Sequence, residues 1–186
     1  MSAIDKKLDE LKSRISDPAF LAKTGVGNEL GIFVFCYAPS EELMVQDGIR
    51  RLQSDSNAPY HIMECDLYET FLSLLSDKRI LDKVPAMEEN KGKDFLLKQL
   101  VNIATPEALV QKMLPLSRRV GRDVLFLTGI GKAHPFMRCH RILDQLLLLI
   151  PDIPIVLFYP GSYNGQSLSL FDKFTEGNYY RAFHIF

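Results

Sequence analysis

Residues 126–143, FLTGIGKAHPFMRCHRIL, place two glycines, a lysine, two histidines, a cysteine and two arginines directly behind an apolar segment. Phosphate binding is the first chemistry such residues suggest. A P-loop needs G-x-x-x-x-G-K-[ST], so that backbone amides wrap the phosphates and a hydroxyl holds Mg²⁺. Here Ala133 follows Gly131-Lys132, and Phe126 stands five residues before Gly131 where the pattern wants glycine. The segment also follows the third apolar run rather than the first. The turn after the first run, YAPSEELMVQDG, carries Glu41 and Glu42 and no lysine, and would repel phosphate. Zinc is the second chemistry. His134, Cys139 and His140 match no common ligand spacing, and adjacent residues on a helix point about 100° apart.

Other candidates are also incomplete. Ser162 in PGSYNGQS lies outside a G-x-S-x-G elbow. Cys36 and Cys65 sit in apolar runs and suit packing. Glu64 and Asp66 flank Cys65 where a strand passes into a helix, a position suited to acid–base work or to starting the helix. A basic face would combine Arg118, Arg119, Arg122, Lys132, Arg138 and Arg141, with Tyr159 or Tyr163 to stack on bases. No nucleic-acid-binding motif accompanies it. Two alternatives therefore stay open: an NTPase-like enzyme with a degenerate site, and a nucleic-acid-binding module using residues 118–141.

The 186-residue chain carries 22 basic and 23 acidic side chains, but they are unevenly spread. Residues 41–94 hold twelve acids against seven bases, whereas residues 118–141 hold six bases and one acid. Such asymmetry permits an anionic partner on one surface or reflects solvated faces. Three cysteines cannot form a disulfide framework and suit reduced thiols in the cytoplasm. The N-terminus is charged and lacks a signal-peptide core. The longest apolar run, LLLLIPDIPIVLFY, is broken by Pro151, Asp152 and Pro154.

The elements must position these groups. Ile4, Leu8, Leu11 and Ile15 recur at helical spacing, and SDP closes that helix. LGIFVFCYAP predicts a buried strand, followed by a helix capped by Ser40 with Val45, Ile49 and Leu52 inside. YHIMECDLYE predicts a second strand running into a helix near 67–75. MEENKGKD predicts a mobile link. Residues 95–103 read as helix, and Thr105-Pro106-Glu107 starts another bearing Leu109, Met113 and Leu116. GRDVLFLTGIG predicts a third strand, and residues 136–149 a helix buried on nearly all sides. IPIVLFYPG predicts a fourth strand ended by Pro160-Gly161, QSLSLFDKF a short helix, and YYRAFHIF a fifth strand. Alternating helices and apolar strands predict an α/β three-layer domain with a mostly parallel five-stranded sheet. It would resemble a P-loop-type core without a working phosphate motif, plus extra helices. Residues 1–186 would make one domain, with a helical segment at 1–28 and a helical insertion at 86–118.

Three C-terminal segments, FLTGIGKAHPFMRCHRILDQL, PIVLFYPGSYNGQSLSLF and NYYRAFHIF, resemble the BrxB family of bacteriophage-exclusion (BREX) systems. The likeness is strongest over residues 123–186 and extends more loosely to GIFVFCYAP. The matching positions are Thr128, Gly129, Gly131, Pro135, Phe136, Arg138 and His140, then Pro160, Gly161, Tyr163, Gly165 and Gln166, then Asn178, Tyr179, Tyr180, Arg181 and Phe183. Lys132 and His134 lie within the first block. The resemblance implies cytoplasmic antiphage defence beside a large phosphatase-like PglZ protein, an ATPase and a DNA methyltransferase. It implies no catalytic residues and no cofactor. The expected function is a non-enzymatic adaptor whose glycine loops present Arg138, Tyr163, Gln166, Tyr179 and Tyr180 to another macromolecule, or are held to each other by those residues.

Overall fold

The computed structural model describes residues 2–24, 31–113, 121–175 and 182–186. Gly25, Gly27, Asn28, Leu116, Arg118, Arg119, Asn178, Tyr179, Tyr180 and Arg181, all singled out in the sequence, lie outside the described residues. The chain opens with α1 (Ala3–Ile15), started by a Ser2–Asp5 capping box, and α2 (Pro18–Leu21), capped by Asp17. Next come β1 (Ile32–Tyr37), α3 (Glu42–Gln53), β2 (His61–Asp66) and α4 (Leu67–Asp77). Three helices follow: α5 (Val84–Lys91), α6 (Lys93–Ile103) and α7 (Pro106–Met113). The rest comprises β3 (Asp123–Thr128), α8 (Ile130–Ala133), α9 (Cys139–Leu149), β4 (Ile155–Tyr163), β5 (Leu168–Leu170), β6 (Phe174–Thr175) and β7 (Phe183–His184).

Five parallel strands run in the order β2-β3-β4-β1-β7, as the alternating pattern predicts. Their side chains divide by the period-two rule. Phe33, Phe35, Val124, Phe126, Val156 and Phe158 face α1, α2 and α3. Val34, Leu125, Leu127, Ile155 and Leu157 face α4, α6, α7 and α9. The first face is a cluster of rings, with Phe158 packed at 5.1 Å from Phe35 and 4.9 Å from Phe126. Each such buried phenylalanine contributes about 2–3 kcal/mol of transfer free energy. Both faces are covered, which is why these strands read as continuous apolar runs.

The structure corrects several expectations. MEENKGKD is the end of α5 and the start of α6, joined at Gly92 with φ of 80°. Ser40 does not cap α3; residues Pro39–Glu41 form a 3-10 turn in which Ala38 N–H donates to Glu41 Oε2 at 3.0 Å. The helix predicted from residue 136 starts at Cys139; Phe136 N–H instead donates back to the Ala133 carbonyl at 2.9 Å, in the turn that follows α8. Its end is open to solvent, with Leu148 at 74% and Leu149 at 46% exposure. QSLSLFDKF is not a helix. Leu168 and Leu170 are buried at strand spacing, and Phe171 and Asp172 adopt positive φ in a turn that leads into β6.

Pro160-Gly161 does not end β4. The strand passes through both residues and exchanges its parallel neighbours for antiparallel β5. Pro160 lacks an N–H, but its carbonyl accepts from Phe171 N at 2.8 Å. Gly161 has φ of +154°, and a Cβ there would stand 2.1 Å from the Ser169 carbonyl oxygen. The extra hairpin therefore requires the glycine.

Gly161→Ala should destabilise the protein by about 3 kcal/mol or more through a backbone clash. Gly165→Ala, which meets nothing within 4 Å and suffers only its φ of +89°, should lose about 1–2 kcal/mol. Urea denaturation of the two variants checks the ordering. The thiols give a second expectation. Burial pushes Cys36 and Cys65 from the ordinary thiol value of 9.0 up to about 11. The native protein should therefore react with Ellman's reagent at pH 8 about a hundredfold more slowly at these sites than the urea-unfolded chain. Because the unfolded thiols lose protons first, stability should fall as pH rises from 9.0 towards about 11.

Candidate functional site

In open parallel sheets ligands bind beyond the carboxyl ends of the strands. Here that edge holds a cleft of about 290 Å³ whose lining includes Tyr37, Glu42, Gln46, Glu64, Asp66, Thr128, Gly129 and Lys132. Asp66 ends β2 and caps α4: its Oδ1 accepts from Tyr68 N at 2.9 Å and Glu69 N at 3.1 Å. Two otherwise orphaned helix amides are satisfied this way. Its Oδ2 accepts from Lys132 Nζ at 2.6 Å.

Gly129 makes this meeting possible. It leaves β3 in the left-handed region, φ 72° and ψ 13°, and α8 then brings Lys132 back over the edge. A Cβ on Gly129 would stand 2.1 Å from Asp66 Oδ1, so only glycine fits against the carboxylate.

Two other carboxylates of the cleft are also engaged. Glu64 accepts from Thr128 Oγ1 at 3.1 Å and Gln53 Nε2 at 2.9 Å, joining α3 to β3. Glu42 accepts from Tyr37 OH at 2.6 Å and Gln46 Nε2 at 2.9 Å. At the β1 and β2 exits, where an anionic ligand would find backbone amides, the chain supplies its own carboxylates. Glu41 takes the Ala38 amide and Asp66 takes two amides of α4. The resolved shifts in the cleft move away from neutrality. Burial lowers the affinity of Lys132 for its proton, but the hydrogen bond to Asp66 and the nearby Glu69 and Glu42 outweigh it, so its pKa is raised. Burial, then the Glu42 hydrogen bond, raises the Tyr37 phenol well above its usual range. Neither group is poised for proton transfer near pH 7.

The signature residues fall into distinct places. Thr128, Gly129 and Lys132 line the cleft. Gly131 packs against Pro160 and Phe171, where an added Cβ would meet carbons of both side chains at 3.0 Å. The His134 ring lies 4.9 Å from that of Phe174, so the loop after β3 rests on the β5–β6 hairpin. Tyr163 is buried, donates to the Ala182 carbonyl at 2.8 Å and lies 4.9 Å from the His184 ring. Gln166 is exposed beside a turn in which Asn164 Oδ1 accepts from Gln166 N and Ser167 N. His140 is half-buried in α9. Arg138 is exposed at the start of α9 and lines a different groove, with Arg141 and Phe136. Among the described residues no group of three or more His, Cys, Asp or Glu could hold a metal.

The described part of the basic stretch does not form one face. Arg122 precedes β3 and donates to the Ala58 and Pro59 carbonyls at 2.6 and 2.8 Å, whereas Lys132 follows the same strand at its other end. Six strand residues separate their ends by about 20 Å. The sequence offers Asp66 only as a helix starter or an acid. It does not mark Tyr37, Glu42 and Gln46 as neighbours of Lys132, since three chain segments must meet before they become one site.

Fold and edge together define a parallel-sheet α/β protein whose carboxyl-end rim is lined by its own carboxylates and whose loops are braced on one another. The family described as BREX protein BrxB matches residues 63–185. A BREX protein BrxB of Bacillus cereus (strain H3081.97) is 38% identical over 192 residues, covering 100% of this chain and 98% of that protein. One of Escherichia coli O9:H4 (strain HS) is 28% identical over 182 residues, covering 98% of this chain and 91% of that protein. No solved structure matches. The chain belongs to the BrxB family, a family of bacteriophage-exclusion (BREX) system components. Among the described residues no helix is long and apolar enough to cross a membrane.

Asp66→Ala removes both the α4 cap and the Lys132 partner, and should lose about 1–2 kcal/mol. Lys132→Ala removes a half-exposed pair and should lose under about 1 kcal/mol. A double-mutant cycle by thermal unfolding isolates the coupling. Because the Lys132 pKa is raised in the folded chain, the coupling should be fully present below the ordinary lysine value of 10.5 and fade as pH rises past it.

Proposed function

We propose that the protein is a non-enzymatic adaptor in a BREX antiphage assembly, acting in the cytoplasm by binding the PglZ-type phosphatase-like component. The observation that carries this reading is the rim of the sheet. An enzyme of this architecture would leave helix N-termini and a lysine free there for an anionic substrate. In this chain Glu41 takes the Ala38 amide after β1, Asp66 caps α4 after β2, and Asp66 also holds Lys132. Lys132 stays cationic and committed to that pair, so the glycine loop serves geometry. The BrxB relatives supply the biological setting.

The purified chain, mixed with PglZ from its own system, should give a complex by pull-down and a saturable heat by calorimetry. A specific transient complex has a dissociation constant of micromolar order or tighter. Failure to bind PglZ at tens of micromolar would overturn the adaptor in this specific form. ATP turnover by the purified chain that disappears in Lys132→Ala would overturn the non-enzymatic reading.

A further inference from the structure

The loop after α8 builds one wall of a second cavity, a groove of about 590 Å³ between the α6–α7 corner and the start of α9. Pro106, Phe136, Met137 and Ile142 supply apolar lining, with Arg138 and Arg141 beside them. Phe136 is fixed by stacking on Phe71 of α4, ring centroids 5.0 Å apart at 21°. On the facing helix Val101 is 43% exposed, although the pattern of α6 buries Leu96 and Leu100. The groove therefore has a rigid wall and leaves apolar surface open to water.

Its electrostatics run against what folding alone favours. Arg138 is the N-cap of α9 and Arg141 lies in its first turn, where the helix dipole is positive and acids are preferred. The first turn carries no acid, and the Arg138 side chain at the N-cap position does not cap it. Neither arginine has an ion-pair partner among the described residues, and no carboxylate lines the groove among them. Elsewhere the chain places acids at helix starts, as with Asp5, Asp66 and Glu107. Two guanidiniums at a helix start thus stand beside an apolar floor, with no carboxylate paired to them among the described residues.

We infer that this groove docks an acidic segment of a partner protein, one whose carboxylates pair with Arg138 and Arg141 and whose apolar side chains rest on Phe136, Met137 and Val101. Charge complementarity selects this occupant, since arginine forks suit carboxylates and the floor suits apolar anchors. Pro135, Phe136 and Arg138 of the family signature all line this surface, which ties the motif to the docking. The inference deepens the adaptor reading and rests on it for the existence of a protein partner. A nucleic acid strand would use the arginines, but it offers less to the apolar floor.

The test uses the full-length chain and a phage-displayed library of short random peptides. Selected sequences should be rich in Asp and Glu with interspersed Leu or aromatic residues. Synthetic copies should bind roughly tenfold or more weakly to Arg138→Glu/Arg141→Glu and to Val101→Glu. The double charge reversal should leave the melting temperature unchanged or raise it, because acids suit that helix end, so lost binding would not reflect unfolding. Selection without an acidic consensus overturns the inference, as does peptide affinity indifferent to these variants. Displacement of the peptides by a single-stranded oligonucleotide that itself binds tightly overturns it in favour of nucleic acid. The same variants are carried into the PglZ pull-down. Equal capture of PglZ by native chain and charge-reversed variant overturns the groove as its docking site and leaves the adaptor standing. Acidic peptides selected at the groove by a chain that captures no PglZ support the groove and overturn only the named partner.

Discussion

The carboxylate of Asp66 organises the rim of the sheet. One oxygen holds two amides at the start of α4, and the other holds the ammonium of Lys132, which arrives from the far side of β3. This ties together β2, α4, β3 and α8. It also fixes the backbone of Gly129, since any side chain there would collide with the carboxylate. A free phosphate at the same rim would have to compete with an anion that is already covalently in place and correctly oriented. The intramolecular partner wins because its ordering entropy was met in folding.

The second constraint lies where β4 changes neighbours. Its first half sits between β3 and β1, deep in the sheet; its second half pairs with β5 outside it. That change requires Gly161, and the resulting hairpin supplies the surfaces on which Gly131 and His134 rest. Many of the residues after β3 and in β4 that carry the family resemblance thus form a single mechanical unit. Gly129, Gly131 and Gly161 are each specified by a different close neighbour: Asp66, the Pro160–Phe171 pair and the Ser169 carbonyl. Tyr163 locks the C-terminal strand by donating to Ala182. A unit braced so fully is rigid, which suits the presentation of a surface to a partner.

Charge follows the same division. Arg122 is consumed by the carbonyls of residues 58 and 59, and Lys132 by Asp66. What looks along the chain like one basic tract divides into cations bonded within the fold, Arg122 before β3 and Lys132 after it, and the two arginines at α9. The latter stand beside open apolar surface. Counting charges along a sequence cannot make this distinction, because pairing depends on residues more than fifty positions away.

The α/β class, the five parallel strands and most helices are legible in the sequence. Period-two and period-3.6 patterns, together with caps such as Asp66 and Thr105, are local and survive without knowledge of neighbours. It also carried the family resemblance in residues 123–186, and it showed that the P-loop pattern was broken at Phe126 and Ala133. It misjudged QSLSLFDKF, the Pro160-Gly161 boundary and the exposure of Leu148, where the answer rests on what a segment packs against. Tertiary structure alone decided that Lys132 would meet Asp66, that the glycine loops would brace each other, and that Arg138 and Arg141 would flank a groove. Each of these contacts joins segments far apart in the chain, and its strength comes from burial, close approach and charge pairing that exist only after the strands have been set side by side.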